Sequence, residues 1–134
     1  MSVEVKPVRS VVPEVKKLRG EVKKRYEEAV ARLRDHGCQA GGYRMRADDA
    51  GDAHVCCLRF YRYWRMHLLF DEEDTIWICF LGQHARDTNI HDAAAAAIPG
   101  LSKVGRPREE QPPCCDDLDD TPVDQELVNL VRAL

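Results

Sequence analysis

LRFYRYWRMHLLFDEEDTIWICFLGQHARD, residues 58–87, decides how the rest of the chain is read. Apolar and polar side chains alternate along much of it, and four consecutive acids, Asp71 to Asp74, interrupt it. A period of two belongs to a strand, and an acidic tetrapeptide between two apolar runs belongs to a solvated hairpin loop. The stretch therefore reads as two antiparallel strands, Arg62–Phe70 and Thr75–Leu81. It also threads Arg59, Arg62, Arg65 and His67 through the most aromatic part of the chain and then runs into Gly82-Gln83-His84-Ala85-Arg86.

Alternation sorts these charges. Trp64, Met66, Leu68 and Phe70 share one face of their strand, and Tyr63, Arg65, His67 and Leu69 share the other. The preceding run, His54–Phe60, reads as a third strand with Cys56, Leu58 and Phe60 on one side and Val55, Cys57 and Arg59 on the other. The apolar sets need a covering layer. That leaves Arg59, Tyr63, Arg65 and His67 on the uncovered face, with His84 and Arg86 just past the end of the adjacent strand. Such a face has two readings. It is the wet side of a half-buried sheet, or it is a shallow basic surface where arginines grip phosphates, Tyr63 stacks on a base, and His67 or His84 moves protons near neutral pH.

The covering layer lies upstream. Val15, Leu18, Val22, Tyr26, Val30 and Leu33 recur at spacings of three and four, one stripe on a helix. Glu21–Arg25 and Glu28–Arg32 are i,i+4 pairs on its polar side. Pro13 suits a first helical turn, Gly20 divides the pattern into a helical hairpin, and Gly37 ends the second helix. Val3 and Val5 suggest a short edge strand over about residues 2–8, limited by Pro7. Gly41 to Met45 reads as a short strand and residues 48–53 as a turn. The fold class expected is α+β: a helical hairpin packed on one face of a small antiparallel sheet.

Downstream the pattern loosens. Asp92 suits the cap of an alanine-rich helix over 93–98 that Pro99-Gly100 stops. GRPREEQPPCCDDLDD reads as a linker, and Leu127, Leu130, Val131 and Leu134 make an amphipathic stripe behind Thr121 and Pro122. The expected organisation is one domain over residues 1–105 and a proline-rich acidic linker with a short helix over 106–134.

The chain has 134 residues, 44% hydrophobic, with a net charge of −3, enough for one modest core. Residues 1–108 carry 19 Lys and Arg against 15 acids, whereas 109–134 carry one Arg and eight acids. A mildly basic body with an acidic tail suits a polyanion-binding domain and also an ordinary solvated surface. The N-terminal MSVEVKPVRSVV lacks the apolar core of a secretory signal, and no run approaches the length of a membrane helix, so the cytoplasm is the expected compartment. Six cysteines, at 38, 56, 57, 79, 114 and 115, form neither a C-x-x-C metal pattern nor a familiar disulfide framework, and read as incidental thiols. Trp64 and Trp77 read as core or interface residues, and His36 and His91 as surface residues.

Across residues 3–92 the order of motifs resembles the RelE/ParE superfamily of bacterial type II toxins. A helical hairpin precedes a strand ending in Leu58-Arg59. Trp64-Arg65 stands where the family has "YR", an acidic turn follows, and an apolar strand runs into Gly82-Gln83-His84, where the family has "GH" or "GxR". The resemblance implies a toxin paired with a cognate antitoxin protein. In its RelE-like form it implies a metal-independent, cofactor-free endoribonuclease that cuts mRNA on the ribosome and inhibits translation. The roles it implies are Arg59 and Arg65 on the phosphate, His84 or His67 as acid or base, and Tyr63, Arg62 and Arg86 as RNA contacts. The alternatives are a ParE-type inhibitor of DNA gyrase and a non-catalytic binding module. The pI of about 5.9 favours the latter over a nuclease that enters the ribosome.

Overall fold

The protein is described by a computed structural model, which covers residues 3–47, 51–70 and 75–83 together with residue 133; for 44–47 and 51–54 the backbone alone is described. The chain begins with strand β1 (Glu4–Pro7) and helices α1 (Val12–Lys17) and α2 (Gly20–His36). A 3-10 turn (Gly37–Ala40) leads to strands β2 (Tyr43–Ala47), β3 (Gly51–Tyr61), β4 (Trp64–Phe70) and β5 (Thr75–Gln83). The expected α+β class holds. The expected strand at Gly41–Met45 appears two residues later, and the turn expected at 48–53 is cut short because β3 already begins at Gly51.

The two helices follow from local chemistry. Pro13 occupies the first turn of α1, and Leu18 leaves it in extended conformation. Arg19 is extended and Gly20 takes φ +64°, so the chain turns before α2 starts. The 17-residue α2 buries Tyr26, Ala29, Val30 and Leu33, one stripe at helical spacing, and Gly37 ends it at φ +60°. The polar side carries surface ion pairs, Arg25 with Glu21 and Glu28, which are worth little each.

The sheet order is β1-β5-β4-β3-β2. β2 to β5 form the expected antiparallel meander. β1 differs from the expectation of an antiparallel sheet, because it pairs parallel to β5, with Val5 opposite Ile76. A parallel partner needs a long connection, and α1, α2 and the rest of the meander supply it. Pro7 is tolerated because β1 is an edge strand.

One face of the sheet carries the core. Cys56, Phe60, Met66, Leu68, Ile76, Ile78 and Leu81 are buried against Leu18, Tyr26, Ala29, Val30 and Leu33. Tyr26 meets Phe60 edge-on, with centroids 6.1 Å apart, and Trp64 lies beside Phe60. Each fully buried aliphatic or aromatic side chain contributes about 1.5–3 kcal/mol before entropy is set against it. Gly42, at φ +78°, is needed where β2 starts. A side chain there would run into the Cys57 carbonyl oxygen and come within 3.0 Å of Leu58 Cα.

Two details depart from strict alternation. Arg62 and Tyr63 are the turn between β3 and β4 rather than the start of a strand, with Arg62 at φ +46°. A bulge in β5 leaves Cys79 without a counterpart, since His67 pairs with Phe80 and Leu68 with Ile78. The extra residue returns Leu81 to the core face and sets Gly82 opposite Arg65. The expected alanine-rich helix over 93–98, the linker and the terminal helix lie outside the described residues, as does the domain boundary at 105.

Candidate functional site

Arg59 of β3 and Arg65 of β4 are directly opposite each other in the ladder. Directly opposed residues share a face and sit within about 5.5 Å at Cβ, so two guanidinium groups project from one spot. Arg59 is exposed and Arg65 half-buried. The Arg65 Nη1 donates to the Arg62 carbonyl at 2.9 Å and to the Trp64 carbonyl at 3.3 Å, which ties its head to the β3–β4 turn. Burial lowers the Arg65 pKa, Cys57 opposes that, and the neighbouring Arg59 charge adds to it. Arg65 remains cationic at any physiological pH. The ion pairs among the described residues are Lys6–Glu4, Lys17–Glu14, Arg25–Glu21 and Arg25–Glu28, so neither arginine is committed to an acid there.

Around this pair the structure brings together some of the expected residues and not others. Arg62 is exposed, with its guanidinium carbon 5.1 Å from the Tyr61 ring centroid. Tyr63 is 65% exposed, but it sits in the turn and not on the arginine face of the strand. His67 shares the arginine face and is fully buried, packed edge-on against Phe80 with centroids 5.8 Å apart. The expectation that His67 lies on an open surface is therefore corrected. The next row of the sheet, Val55 opposite Leu69, is likewise closed to solvent. His84 and Arg86 lie outside the described residues.

Two residues not singled out from the sequence belong to this face. Tyr43 of β2 is opposite Cys57, one row from Arg59, and is 47% exposed. It is placed as a stacking platform better than Tyr63. The only signal for it was its position in a short strand whose register no pattern specified. Cys57 is opposite both Tyr43 and His67. Burial pushes its thiol up to about 12, with the Arg65 charge pulling the other way. A thiol held that high is not a nucleophile near neutral pH. Cys79 is buried and its thiol is likewise pushed up by desolvation.

Cys38, on the 3-10 turn, and Cys56, on the core side of β3, are each disulfide-bonded, which corrects the reading of all six cysteines as incidental thiols. Among the described residues no group of three or more His, Cys, Asp or Glu is placed to hold a metal ion, and no helix is long and apolar enough to cross a membrane. A shallow pocket of about 240 Å³ lies on the helix side, lined by Glu14, Lys17, Leu18, Arg19, Val22 and Trp64, with neither Arg59 nor Arg65 in its wall. Compared with protein families, curated proteins and solved structures, the chain has no match.

Proposed function

We propose that this chain is a RelE-like toxin that engages the RNA backbone through Arg59 and Arg65 and cuts mRNA on the ribosome. The observation that carries the reading is the direct opposition of two arginines, neither paired with an acid among the described residues. Two like charges placed together on a sheet are costly alone and become favourable when an anion binds between them. The element order supports it as well: two helices precede a meander that sets the arginine of Leu58-Arg59 opposite the arginine of Trp64-Arg65.

The chemistry would run without a metal. The RNA 2′-oxygen attacks the adjacent phosphorus while a base takes its proton. The bond from phosphorus to the 5′-oxygen breaks as an acid protonates that oxygen, leaving a 2′,3′-cyclic phosphate and a 5′-hydroxyl. Arg59 and Arg65 would carry the charge that builds on the phosphorane oxygens. Tyr43 would stack on a base. With His67 closed off, His84 remains as the histidine for proton transfer, a role worth about 10²- to 10⁴-fold.

A second reading is favoured by one finding. Among the described residues, no group that titrates near neutral pH opens onto the arginine pair, since His67 is buried and Cys57 is held near 12. That suits a non-catalytic binder, or a ParE-type gyrase inhibitor, on the same face. Inducible expression in a bacterium separates them, with primer extension on several mRNAs for wild type, Arg65→Ala and His84→Ala. Growth arrest with codon-positioned cuts that vanish in both variants supports the nuclease. Arrest without cuts points to gyrase or another target, and no arrest points to a binding module.

A further inference from the structure

Arg65 reaches the surface with one half of its guanidinium already used. Its Nη1 donates to the carbonyls of Arg62 and Trp64, at 2.9 and 3.3 Å. The Nε–H and Nη2–H groups on the other edge of the plane take no part in that anchor. They form a side-on fork, which matches two oxygens of one phosphate. The anchor sets the direction of the fork before an anion arrives, so less freedom is lost on binding. Arg59, directly opposite, is exposed and adds a second positive charge, with no such anchor among the described residues.

An exposed aromatic ring completes this face. Tyr43 is opposite Cys57, two residues along β3 from Arg59, and is 47% exposed. Two residues along a strand span about 7 Å and neighbouring strands are about 4.8 Å apart. The Cα of Tyr43 is therefore about 8 Å from that of Arg59 and about 12 Å from that of Arg65. The side chains between Tyr43 and Arg65 are those of Cys57 and Arg59, neither of them acidic.

We propose that Arg65, Arg59 and Tyr43 form a subsite for one unpaired nucleotide, with its phosphate in the Arg65 fork beside Arg59 and its base stacked on Tyr43. The proposal rests on the reading of this face as an RNA surface and names the part of the RNA that the face takes. Phosphate contacts position a strand and carry no information about its bases. A base held in a duplex is stacked between its neighbours and does not reach a ring that projects from a sheet. Tyr43 thus makes the site selective for single strands. It also leaves the site tolerant of sequence, because every base has a π-face. Arg65 fixes the register of the strand, and Arg59 adds charge.

The test measures binding of the full-length protein to three probes: a short single-stranded RNA, the same strand with abasic sugars in place of its nucleosides, and the RNA paired in a duplex. The wild type is expected to prefer the base-bearing single strand over the abasic one by about tenfold. Tyr43→Ala should erase that preference, and Tyr43→Phe should keep it. Arg65→Lys retains the charge and loses the fork, so it should weaken both single strands more than Arg59→Lys does. A preference that survives Tyr43→Ala, or a duplex bound as tightly as the single strand, overturns the subsite. If binding nevertheless falls with Arg59→Ala and Arg65→Ala, the RNA-backbone reading stands without it. Binding indifferent to both alanine substitutions removes that reading and the subsite together. Cleavage in cells is a separate readout: a chain that binds in this way without cutting keeps the subsite and loses the nuclease assignment.

Discussion

Arg59 and Arg65 face each other directly across β3 and β4, and Arg65 alone is anchored, through the carbonyls of Arg62 and Trp64. Like charges directly opposite each other destabilise a sheet by a few tenths of a kcal/mol to about 1 kcal/mol. The two positions should therefore separate. Arg59→Ala is expected to leave stability unchanged or slightly raised while weakening single-stranded RNA binding about tenfold. Arg65→Ala should weaken binding similarly and also cost about 1 kcal/mol, for the lost bonds to the turn. Urea denaturation beside filter binding at several salt concentrations checks both, and each substitution should reduce the salt slope by about one. A marked destabilisation by Arg59→Ala would mean that the pair is not repulsive.

The turn that Arg65 grips is built on an unfavourable backbone. Arg62 sits at φ +46°, a region costing a non-glycine residue about 1–2 kcal/mol. Arg62→Gly and Arg62→Val both remove the contact with the Tyr61 ring, so that term cancels between them. The valine variant should unfold at lower urea, by about 1–2 kcal/mol relative to glycine, because a β-branched residue tolerates positive φ least. Equal midpoints would show that the turn relaxes to another conformation.

These elements differ in how legible they were. The helical stripe from Val15 to Leu33 could be read because a single burial period runs through it, and α1 and α2 follow it with the break near Gly20. The β3 and β4 faces were readable for the same reason, and Arg59 and Arg65 fell together as alternation demands. Three features were not readable. The parallel pairing of β1 depends on which edge its four residues reach, which no local pattern encodes. The bulge at Cys79 shifts the parity of β5 through one backbone residue whose side chain is apolar like its neighbours. The burial of His67 was not readable because the alternation of polar and apolar residues suggested that this face was open.

The buried histidine now belongs to the core. His67→Ala removes a fully enclosed ring that packs on Phe80, and the cavity should cost about 2–4 kcal/mol in urea denaturation. If His67→Ala lowers toxicity in cells, the loss should follow the fraction folded and recover at lower growth temperature. A variant as stable as wild type that nevertheless lost cleavage would return His67 to the reacting site.

Alkaline stability follows from the thiols. Burial raises the Cys57 thiol to about 12, raises Cys79 in the same direction, and also raises Tyr26. In the unfolded chain a thiol ionises near its ordinary value, about 8.5. Between that value and about 12 the unfolded state has lost a proton that the folded state keeps. Stability is thus full below about pH 8.5 and declines as pH rises toward 12. The urea midpoint should fall between pH 7 and pH 10.5, and Cys57→Ala should shrink the fall. Over the same range an aromatic disulfide reagent should modify Cys57 and Cys79 much faster in urea than in the native protein.

The disulfides bear on where this protein works. Cys38 follows the end of α2, Cys56 lies under the helices on β3, and each is disulfide-bonded. A bridge in a small domain typically contributes about 2–4 kcal/mol, mainly by restricting the unfolded chain. Reduction should therefore lower stability in urea by that order, and the double substitution Cys38→Ser with Cys56→Ser should reproduce the loss and make the midpoint insensitive to reductant. Such bonds persist in oxidising compartments and are rare in the cytosol. A ribosome-directed toxin acts where glutathione keeps thiols reduced, so its fold would have to survive without them. If the reduced protein keeps a cooperative transition and still binds RNA through Arg59 and Arg65, the cytoplasmic expectation and the proposed target remain compatible. If it unfolds on reduction, the arginine face has to serve a partner met outside the reducing cytosol.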